Sequence, residues 1–302
     1  GLVGSEMCIR DRNIDSLVYL NKSNKQVPNR ETNEVEGGLM NMKYYVVDAF
    51  TEELFKGNPA GVCLVDEFPT DETMTNIAAE NRLSETAFVK HKVDGIYRVR
   101  FFTPTSEVDL CGHATLGTGF VLANFVEPGK KEFHLRANQD DIVITVREGG
   151  LYEIEFPSWH PQKVAVTKEM EDALGFKPEA AWQTRDLIIL AKDTDTVQNF
   201  QPDYQAIAHM TDKLGVLITA QASDSEFVSR TFFPNIGIPE DPVCGSANCS
   251  LIPLWSQRLG KKEIINHQLS PRTGTIYCRD GGNVVKISGH VTLYSTAELN
   301  IH

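Results

Sequence analysis

The chain has 302 residues, of which 41% are hydrophobic and 23% charged, and its formal net charge is −12 at pH 7. This composition is ordinary for a folded protein of about two domains and too apolar for general disorder. The negative charge argues against a nucleic-acid partner, and no apolar run approaches the roughly 18 residues that span a membrane. The six cysteines lack closely paired spacings, so we expect reduced thiols in a cytoplasmic protein.

Residues 1–41 are polar and show no periodic pattern, and they lack the apolar stretch and cleavage site of a signal peptide. Their opening, Gly1–Arg12, resembles a translated sequencing adaptor. We therefore predict a disordered or artefactual extension without a function, in which Cys8 has no role, and a biological start at Met40 or Met42. The rest divides into predicted domains at 42–150 and 151–302, and the last strand can return to the first domain.

The first predicted domain combines β-rich runs with two helices. Thr70 is a suitable N-cap for the first helix, and Met74, Ile77 and Ala78 share its apolar face. Residues 114–125 are apolar on nearly every side, which predicts a helix that is buried all round. Strands are predicted at residues 43–50, 61–65, 84–89, 97–102, 141–146 and 151–156.

The second predicted domain repeats this pattern. A helix at residues 167–174 begins at a capping threonine and ends at Gly175, and an apolar helix at residues 247–259 ends at Gly260. Strands are predicted at residues 187–191, 215–220 and 227–233, followed by four strand-like runs between residues 264 and 301. Gly281 and Gly282 mark a hairpin turn between two of these runs.

One unit occurs twice, about 130 residues apart. In each copy a strand ends in two phenylalanines, and a loop then leads through Cys-Gly into a buried helix. The first copy contains Cys111-Gly112-His113-Ala114 and the second Cys244-Gly245-Ser246-Ala247. The matching context predicts two duplicated domains.

Each Cys-Gly pair lies where a loop meets the start of a buried helix. The first N–H groups of a helix point outward and carry partial positive charge, and Gly112 and Gly245 would let a ligand approach the backbone closely. Each helix start is therefore a candidate site for a carboxylate or an oxyanion. If the two domains face each other, both sites lie in one cleft. The alternative is that the glycines only allow tight turns.

Four side chains near these helix starts are candidates for chemistry. His113 can bind a carboxylate or relay a proton, and Ser246 can donate to an anion or cap its helix. Asp241 can hold a substrate amine or hydroxyl, or it can cap its own loop. Glu85 places a carboxylate in a β-rich run. On a solvent face it would have no role, whereas in the cleft it would suit general acid/base work.

Several motifs, in order, resemble the PhzF-like family, which is named for phenazine biosynthesis. They are Gly57–Ala60, Ser84–Phe88, Asp109–Thr115, Glu240–Ser246 and Ser270–Arg272 with Gly274. The resemblance extends from about residue 42 to the end of the chain. It implies an α+β fold like that of diaminopimelate epimerase, with two pseudo-symmetric domains. Each domain is a curled mixed sheet or barrel around a central buried helix, and the active site lies between the domains.

The same resemblance implies a cofactor-independent isomerase that moves a proton between two carbons of a small carboxylate substrate. Glu85 matches the acid/base carboxylate of the family, and His113 and Asp241 complete the catalytic set. The matching substrate-binding positions are Asn58, Gly112, Gly245 and Ser246. The resemblance implies no cofactor and no metal, and it implies a homodimer.

Two other classes of function stay open at this point. Cys111 and Cys244 at the two helix starts also resemble the thiol pair of diaminopimelate epimerase and proline racemase, in which one thiolate removes a proton and the opposite thiol returns one. A helix N-terminus favours the thiolate. The wider motifs around Glu85 and Asp241 favour the carboxylate mechanism over this alternative. The cleft can also belong to a binding protein without turnover.

A metal site is a weaker interpretation of residues in this region than a catalytic site. Cys244, Cys249 and the distant His113 offer ligand atoms, but zinc sites show closer paired spacing. Five residues apart on a helix, the two cysteines would not share a face well. We therefore predict no metal.

Overall fold

The computed structural model describes residues 40–301 except residue 139. The predicted extension at 1–41 lies outside the described residues as far as residue 39, and Cys8 lies outside with it. The first described strand begins at Met40, two residues before the predicted domain start. The predicted domain boundary between residues 150 and 151 stays a prediction.

The first part of the chain forms strands β1 to β8 and helices α1 and α2. The strands are β1 (Met40–Ala49), β2 (Asn58–Val65), β3 (Glu85–Val93), β4 (Ile96–Phe102), β5 (Glu107–Val108), β6 (Glu132–Ala137), β7 (Asp140–Val146) and β8 (Tyr152–Pro157). The helices are α1 (Asp71–Asn81) and α2 (Gly112–Val121), and a π-helical turn, Leu122–Val126, continues α2. A 3₁₀ turn, Glu148–Gly150, precedes β8.

The second part forms strands β9 to β18 and helices α3 to α6. The strands are β9 (Gln162–Val164), β10 (Ala180–Gln183), β11 (Leu187–Leu190), β12 (Val216–Gln221), β13 (Glu226–Phe233), β14 (Ile238–Asp241), β15 (Glu263–Gln268), β16 (Gly274–Asp280), β17 (Val284–Gly289) and β18 (Val291–Ile301). The helices are α3 (Lys168–Leu174), α4 (Thr194–Gln198), α5 (Tyr204–His209) and α6 (Asn248–Leu259). A 3₁₀ turn, Pro234–Ile236, follows β13.

The helix ends follow local signals in the sequence. The Thr70 hydroxyl accepts a hydrogen bond from the Thr73 N–H at the start of α1, and Thr167 caps α3 in the same way. Gly175 and Gly260 end α3 and α6 in the left-handed conformation that glycine adopts without strain. These predicted helix ends are confirmed. None of the helices within residues 40–301 is long and apolar enough to cross a membrane.

The strand order repeats. The first half-sheet has the order β18-β1-β2-β3-β4-β6-β7-β8, with β5 on the end of β4. The second half-sheet has the order β9-β10-β11-β12-β13-β15-β16-β17, with β14 on the end of β13. The parallel and antiparallel pairs follow the same order in both half-sheets. Strand β8 pairs with β17 and so joins the two half-sheets. The predicted duplication is therefore present in the topology.

Each half-sheet curls around one helix. Helix α2 contacts β18, β1, β2 and β3 from one end of the first half-sheet and β7 and β8 from the other. The helix can lie close to the sheet because Gly117 and Gly119 have no side chain: a Cβ atom at Gly117 would lie 2.7 Å from Val47 Cγ2. The predicted burial all round is confirmed for residues 114–119. It is wrong at the end of the predicted helix, where Phe125 is 45% exposed.

Arg272 joins the two halves beside the first strands. Its guanidinium donates to the Asp48 carboxylate at 2.7 Å and to the backbone carbonyls of Gly57 and Lys56 at 2.8 and 2.7 Å. The Gly57 N–H in turn donates to the Thr273 carbonyl at 2.8 Å. Charged donors of this kind make strong hydrogen bonds. Arg272 therefore fixes the loop that leads into β2.

We expect Arg272→Met to lower the free energy of unfolding by about 1–3 kcal/mol at neutral pH, because it leaves buried acceptors without a donor. Burial raises the pKa of Asp48, and the Phe55 N–H and Arg272 oppose that rise. Without Arg272 the pKa rises further, so the loss of stability shrinks as the pH falls and Asp48 takes up a proton. Urea unfolding at several pH values measures both effects.

Arg279→Met is the matched control, because Arg279 pairs with Glu263 on the surface, where 46% and 75% of the two side chains are exposed. A surface pair of this kind contributes about 0–1 kcal/mol. Equal losses in the two variants would contradict the assigned role of Arg272.

Candidate active site

Glu85, Cys111 and His113 form a buried cluster at the start of α2. His113 Nε2 lies 3.2 Å from Glu85 Oε2, and both side chains are 1% exposed. The same ring nitrogen lies 3.2 Å from the Ser84 hydroxyl, and Cys111 Sγ lies 3.4 Å from His113 Nδ1. A buried carboxylate is costly unless polar groups surround it, and this cluster supplies them.

The strand register places Glu85 beside the start of α2. Glu85 is the first residue of β3 and lies opposite Ala60 on the parallel strand β2. Cys111 is the N-cap residue of α2 with extended backbone, and Gly112 is the first helical residue. The positive end of the α2 dipole therefore lies next to the Glu85–His113 pair.

The second Cys-Gly motif forms a tighter turn than the first. Gly245 and Ser246 accept backbone hydrogen bonds from Asn248 and Cys249, each three residues ahead, and α6 begins at Asn248. The helix thus starts one residue later than predicted. Cys244 Sγ lies 3.5 Å from the Ser246 hydroxyl, a spacing of two residues that matches Cys111 and His113 in the first half.

Asn58 connects the two halves of the site. Its side-chain amide donates to Asp241 Oδ1 and to the Val243 carbonyl, both at 3.0 Å, and all of these groups are buried. The two N–H groups of the amide are thus both used within the protein. Asn58 therefore holds Asp241, and its predicted contact with the substrate stays a prediction.

Gln268 fixes the loop on the other side of Asp241. Its side chain accepts from the Cys244 N–H at 2.9 Å and donates to the Asp241 carbonyl at 2.7 Å. The Gln268 side chain is fully buried, so the loop between Asp241 and Cys244 has a defined conformation.

The structure brings the predicted site residues into connected groups. Glu85, Cys111 and His113 form the first, and Asn58 with Asp241 forms the second. Cys244 with Ser246 forms the third group, and Cys244 follows Asp241 by three residues. Gly112 is the first residue of α2, and Gly245 lies in the turn before α6.

Three contributors are missing from the residues predicted as the site: Ser84, Gln268 and Arg185. Ser84 belongs to a quoted motif, and its hydroxyl contacts His113. Arg185 donates to the Ser246 hydroxyl at 3.0 Å from the loop between β10 and β11. Only strand pairing brings that loop beside Ser246, so no local pattern marks Arg185.

Among the described residues, the group with ligand atoms close enough for a metal ion is Glu85, Cys111 and His113, whose donor atoms lie within 4.8 Å of one another. This group differs from the weaker pairing of Cys244 with Cys249 considered from the sequence. A carboxylate, a thiol and an imidazole are all ligands of zinc. The His113 ring also contacts the other two side chains directly. The prediction of no metal stays a prediction.

The fold is shared with proteins of the PhzF family and with an epimerase. A crystal structure of a phenazine biosynthesis protein of the PhzF family from Enterococcus faecalis has a TM-score of 0.84 at 42% identity, and the match covers 87% of this chain and 100% of that one. A hydroxyproline epimerase from Agrobacterium vitis has a TM-score of 0.52 at 11% identity, covering 86% and 93%, and shares the fold. The predicted α+β class with an epimerase-like fold is confirmed.

The profile of the family described as phenazine biosynthesis-like protein matches residues 47–297, which include every predicted site residue. An uncharacterised isomerase of Pseudomonas aeruginosa is 40% identical over 270 residues, which covers 87% of this chain and 100% of the relative. The chain belongs to this PhzF-like family. The predictions of the family and of an isomerase are confirmed.

We expect Asn58→Leu to lower the free energy of unfolding by about 1–3 kcal/mol, because it removes two buried hydrogen bonds and leaves Asp241 and Val243 without this donor. Asn124→Leu is the matched control, since the Asn124 amide also makes two bonds, to the Phe120 carbonyl and the Tyr152 hydroxyl, at an exposed position. Thermal unfolding of both variants measures the difference. A smaller loss in Asn58→Leu than in the control would count against the bridge.

Proposed function

We propose that this isomerase moves a proton between two carbons of a small carboxylate substrate, with Glu85 as the general acid/base. The observation that carries the proposal is the buried Glu85–His113 pair at the start of α2, in which His113 Nε2 lies 3.2 Å from Glu85 Oε2. A carboxylate held next to a helix N-terminus can take a proton from carbon while the helix start stabilises the negative charge that develops.

In the proposed reaction the Glu85 carboxylate removes a proton from a carbon that is conjugated to the substrate carboxylate. The electron pair of the broken C–H bond forms a new carbon–carbon double bond, and the negative charge spreads onto the oxygens as an enolate or dienolate. Glu85 then returns a proton to a second carbon of the conjugated system, and the double bond shifts. Its carboxyl proton exchanges with solvent before the return in part of the turnovers, so turnover in D₂O incorporates deuterium. The atoms and electrons balance within one substrate, so the reaction needs no external oxidant or reductant.

The other residues have supporting roles in this proposal. His113 orients the Glu85 carboxylate and, when Glu85 carries the proton, stabilises that form by hydrogen bonding. Gly112, Gly245 and Ser246 bind the substrate carboxylate with groups at the two helix starts. Asp241 binds a substrate amine or hydroxyl, and Asn58 holds Asp241 in place.

We further propose that the enzyme works without a cofactor, as a homodimer and in the cytoplasm. The support for a cofactor-free reaction is chemical, because one carboxylate can both remove and return the proton. The homodimer and the compartment rest on the family resemblance and on the cysteine pattern.

We expect Glu85→Gln to fold and to lose proton exchange by at least about 10³-fold, because the amide cannot accept the substrate proton. The measurement is deuterium incorporation from D₂O into a panel of small unsaturated carboxylic acids, followed by proton NMR, with and without EDTA. Glu153→Gln is the matched control, because Glu153 is 7% exposed on a strand outside the site. EDTA is expected to have no effect.

Wild-type rates of exchange in Glu85→Gln would contradict the role of Glu85. An absence of exchange with every acid in the wild-type protein would instead favour a binding protein.

A two-thiol isomerase is the second candidate, and the matched positions of Cys111 and Cys244 favour it. Both thiols are fully buried, and each lies near the side chain two residues ahead. If Glu85 is the base, Cys111→Ala and Cys244→Ala keep exchange within about tenfold of the wild-type rate. Cys63→Ala is the control, because burial raises the pKa of that thiol and it packs with Met74 of α1 in an apolar cluster that contains neither Cys-Gly helix start. A loss of about 10³-fold in either variant would establish the thiol mechanism instead.

A further inference from the structure

Arg185 occupies, in the second half, the position that Asn58 occupies in the first. Asn58 precedes by two residues Ala60, which pairs with the first residue of the parallel strand β3. Arg185 precedes by two residues Leu187, which pairs with the first residue of the parallel strand β12. The two positions correspond in the fold but make different contacts. Asn58 bonds to Asp241 and Val243 of the other half, whereas Arg185 bonds to Ser246 of its own half.

The guanidinium of Arg185 is held from several sides. It donates from Nε and Nη2 to the fully buried Asp186 carboxylate, the shorter of these contacts being 2.8 Å. It lies 5.1 Å from the centre of the Trp159 ring and 5.8 Å from that of Phe233. Only 10% of the Arg185 side chain is exposed. Its bond to Ser246 therefore has a fixed geometry.

The direction of that bond determines what Ser246 can do. A guanidinium has donors and no acceptor, so the Ser246 oxygen must accept from Arg185. A hydroxyl has one proton, and in this arrangement the proton points away from Arg185. Ser246 then acts as a donor toward Cys244 Sγ, 3.5 Å away, or toward a ligand. A thiol sulfur is a weak acceptor, so an anion is the partner that this fixed donor favours.

We propose that Arg185 is a positioning residue that makes Ser246 a hydrogen-bond donor for the carboxylate of the substrate. Because Asp186 balances the charge of Arg185, the pair adds no net charge to the site, and the preference for an anion arises from the oriented hydroxyl and the turn that precedes α6. The inference rests on the proposed function in one respect, the assignment of Ser246 to the substrate carboxylate. It adds Arg185 and Asp186, and it specifies an anionic rather than a neutral group at Ser246.

The test measures the affinity of benzoate, with neutral benzamide as the matched uncharged probe, by isothermal titration calorimetry. We compare wild type, Ser246→Ala, the paired variant Arg185→Met with Asp186→Asn, and the combination of all three substitutions. Removing both members of the ion pair avoids leaving a buried charge unpaired, which would endanger folding. Arg185→Lys is included because a lysine can still donate to the Ser246 oxygen.

We expect Ser246→Ala and the paired variant each to raise the Kd of benzoate about tenfold, and the combined variant to raise it no further, because both act through one hydroxyl. The Kd of benzamide stays unchanged, and Arg185→Lys recovers most of the affinity for benzoate. If the losses multiply to about a hundredfold, if benzamide weakens equally, or if wild type binds benzoate no better than benzamide, the inference is overturned.

The two proposals fail separately. Binding of benzoate does not require proton transfer, so Glu85→Gln keeps the benzoate affinity if Arg185 and Ser246 act as inferred. The expected benzoate pattern without any exchange reaction would contradict the proposed function alone. Glu85-dependent exchange without that pattern would contradict the role of Arg185 alone.

Discussion

A helix that is buried on every side needs a sheet that closes around it, and this constraint shapes the first half of the molecule. Because α2 contacts strands from both ends of its half-sheet, that half-sheet has to curl. The helix sides are covered by apolar packing, so its polar N-terminus is the part that remains available for chemistry. The position of the candidate site therefore follows from how the core is built.

The two halves share a scaffold and differ at the positions that carry chemistry. Glu85 opens β3, whereas the equivalent residue of β12 is the apolar Val216. His113 corresponds to Ser246, and Asn58 to Arg185. One half thus presents a carboxylate and an imidazole, and the other presents a hydroxyl held by an arginine. Such a difference between the two halves fits the proposed reaction, in which one half transfers the proton and the other binds the substrate.

The sequence predicts those features that depend on a few neighbouring residues. Thr70 marks the start of α1 because capping involves one turn, and the paired Cys-Gly motifs mark the duplication because the chain order alone reveals them. Strand β6 lies outside the predicted strands although its buried residues alternate, as Phe133 and Leu135 illustrate. The contact of Arg185 with Ser246 could not be predicted, because it depends on the register of strands that are paired across the sheet. From residue chemistry alone, Glu85 is an ordinary glutamate in a strand. The resemblance of its motif to the PhzF-like family is what marks it as the predicted acid/base residue.

The pairing of β18 with β1 has a consequence for how the protein is made. β18 comprises the last described 11 residues, and it pairs with β1 along the whole length of that strand. During synthesis from the N-terminus, the first half-sheet lacks this edge strand until the whole second half has been synthesised. Unpaired strand edges invite association with other chains. The first half-sheet is therefore completed by a strand that follows the second half in the chain, which couples the folding of the two halves.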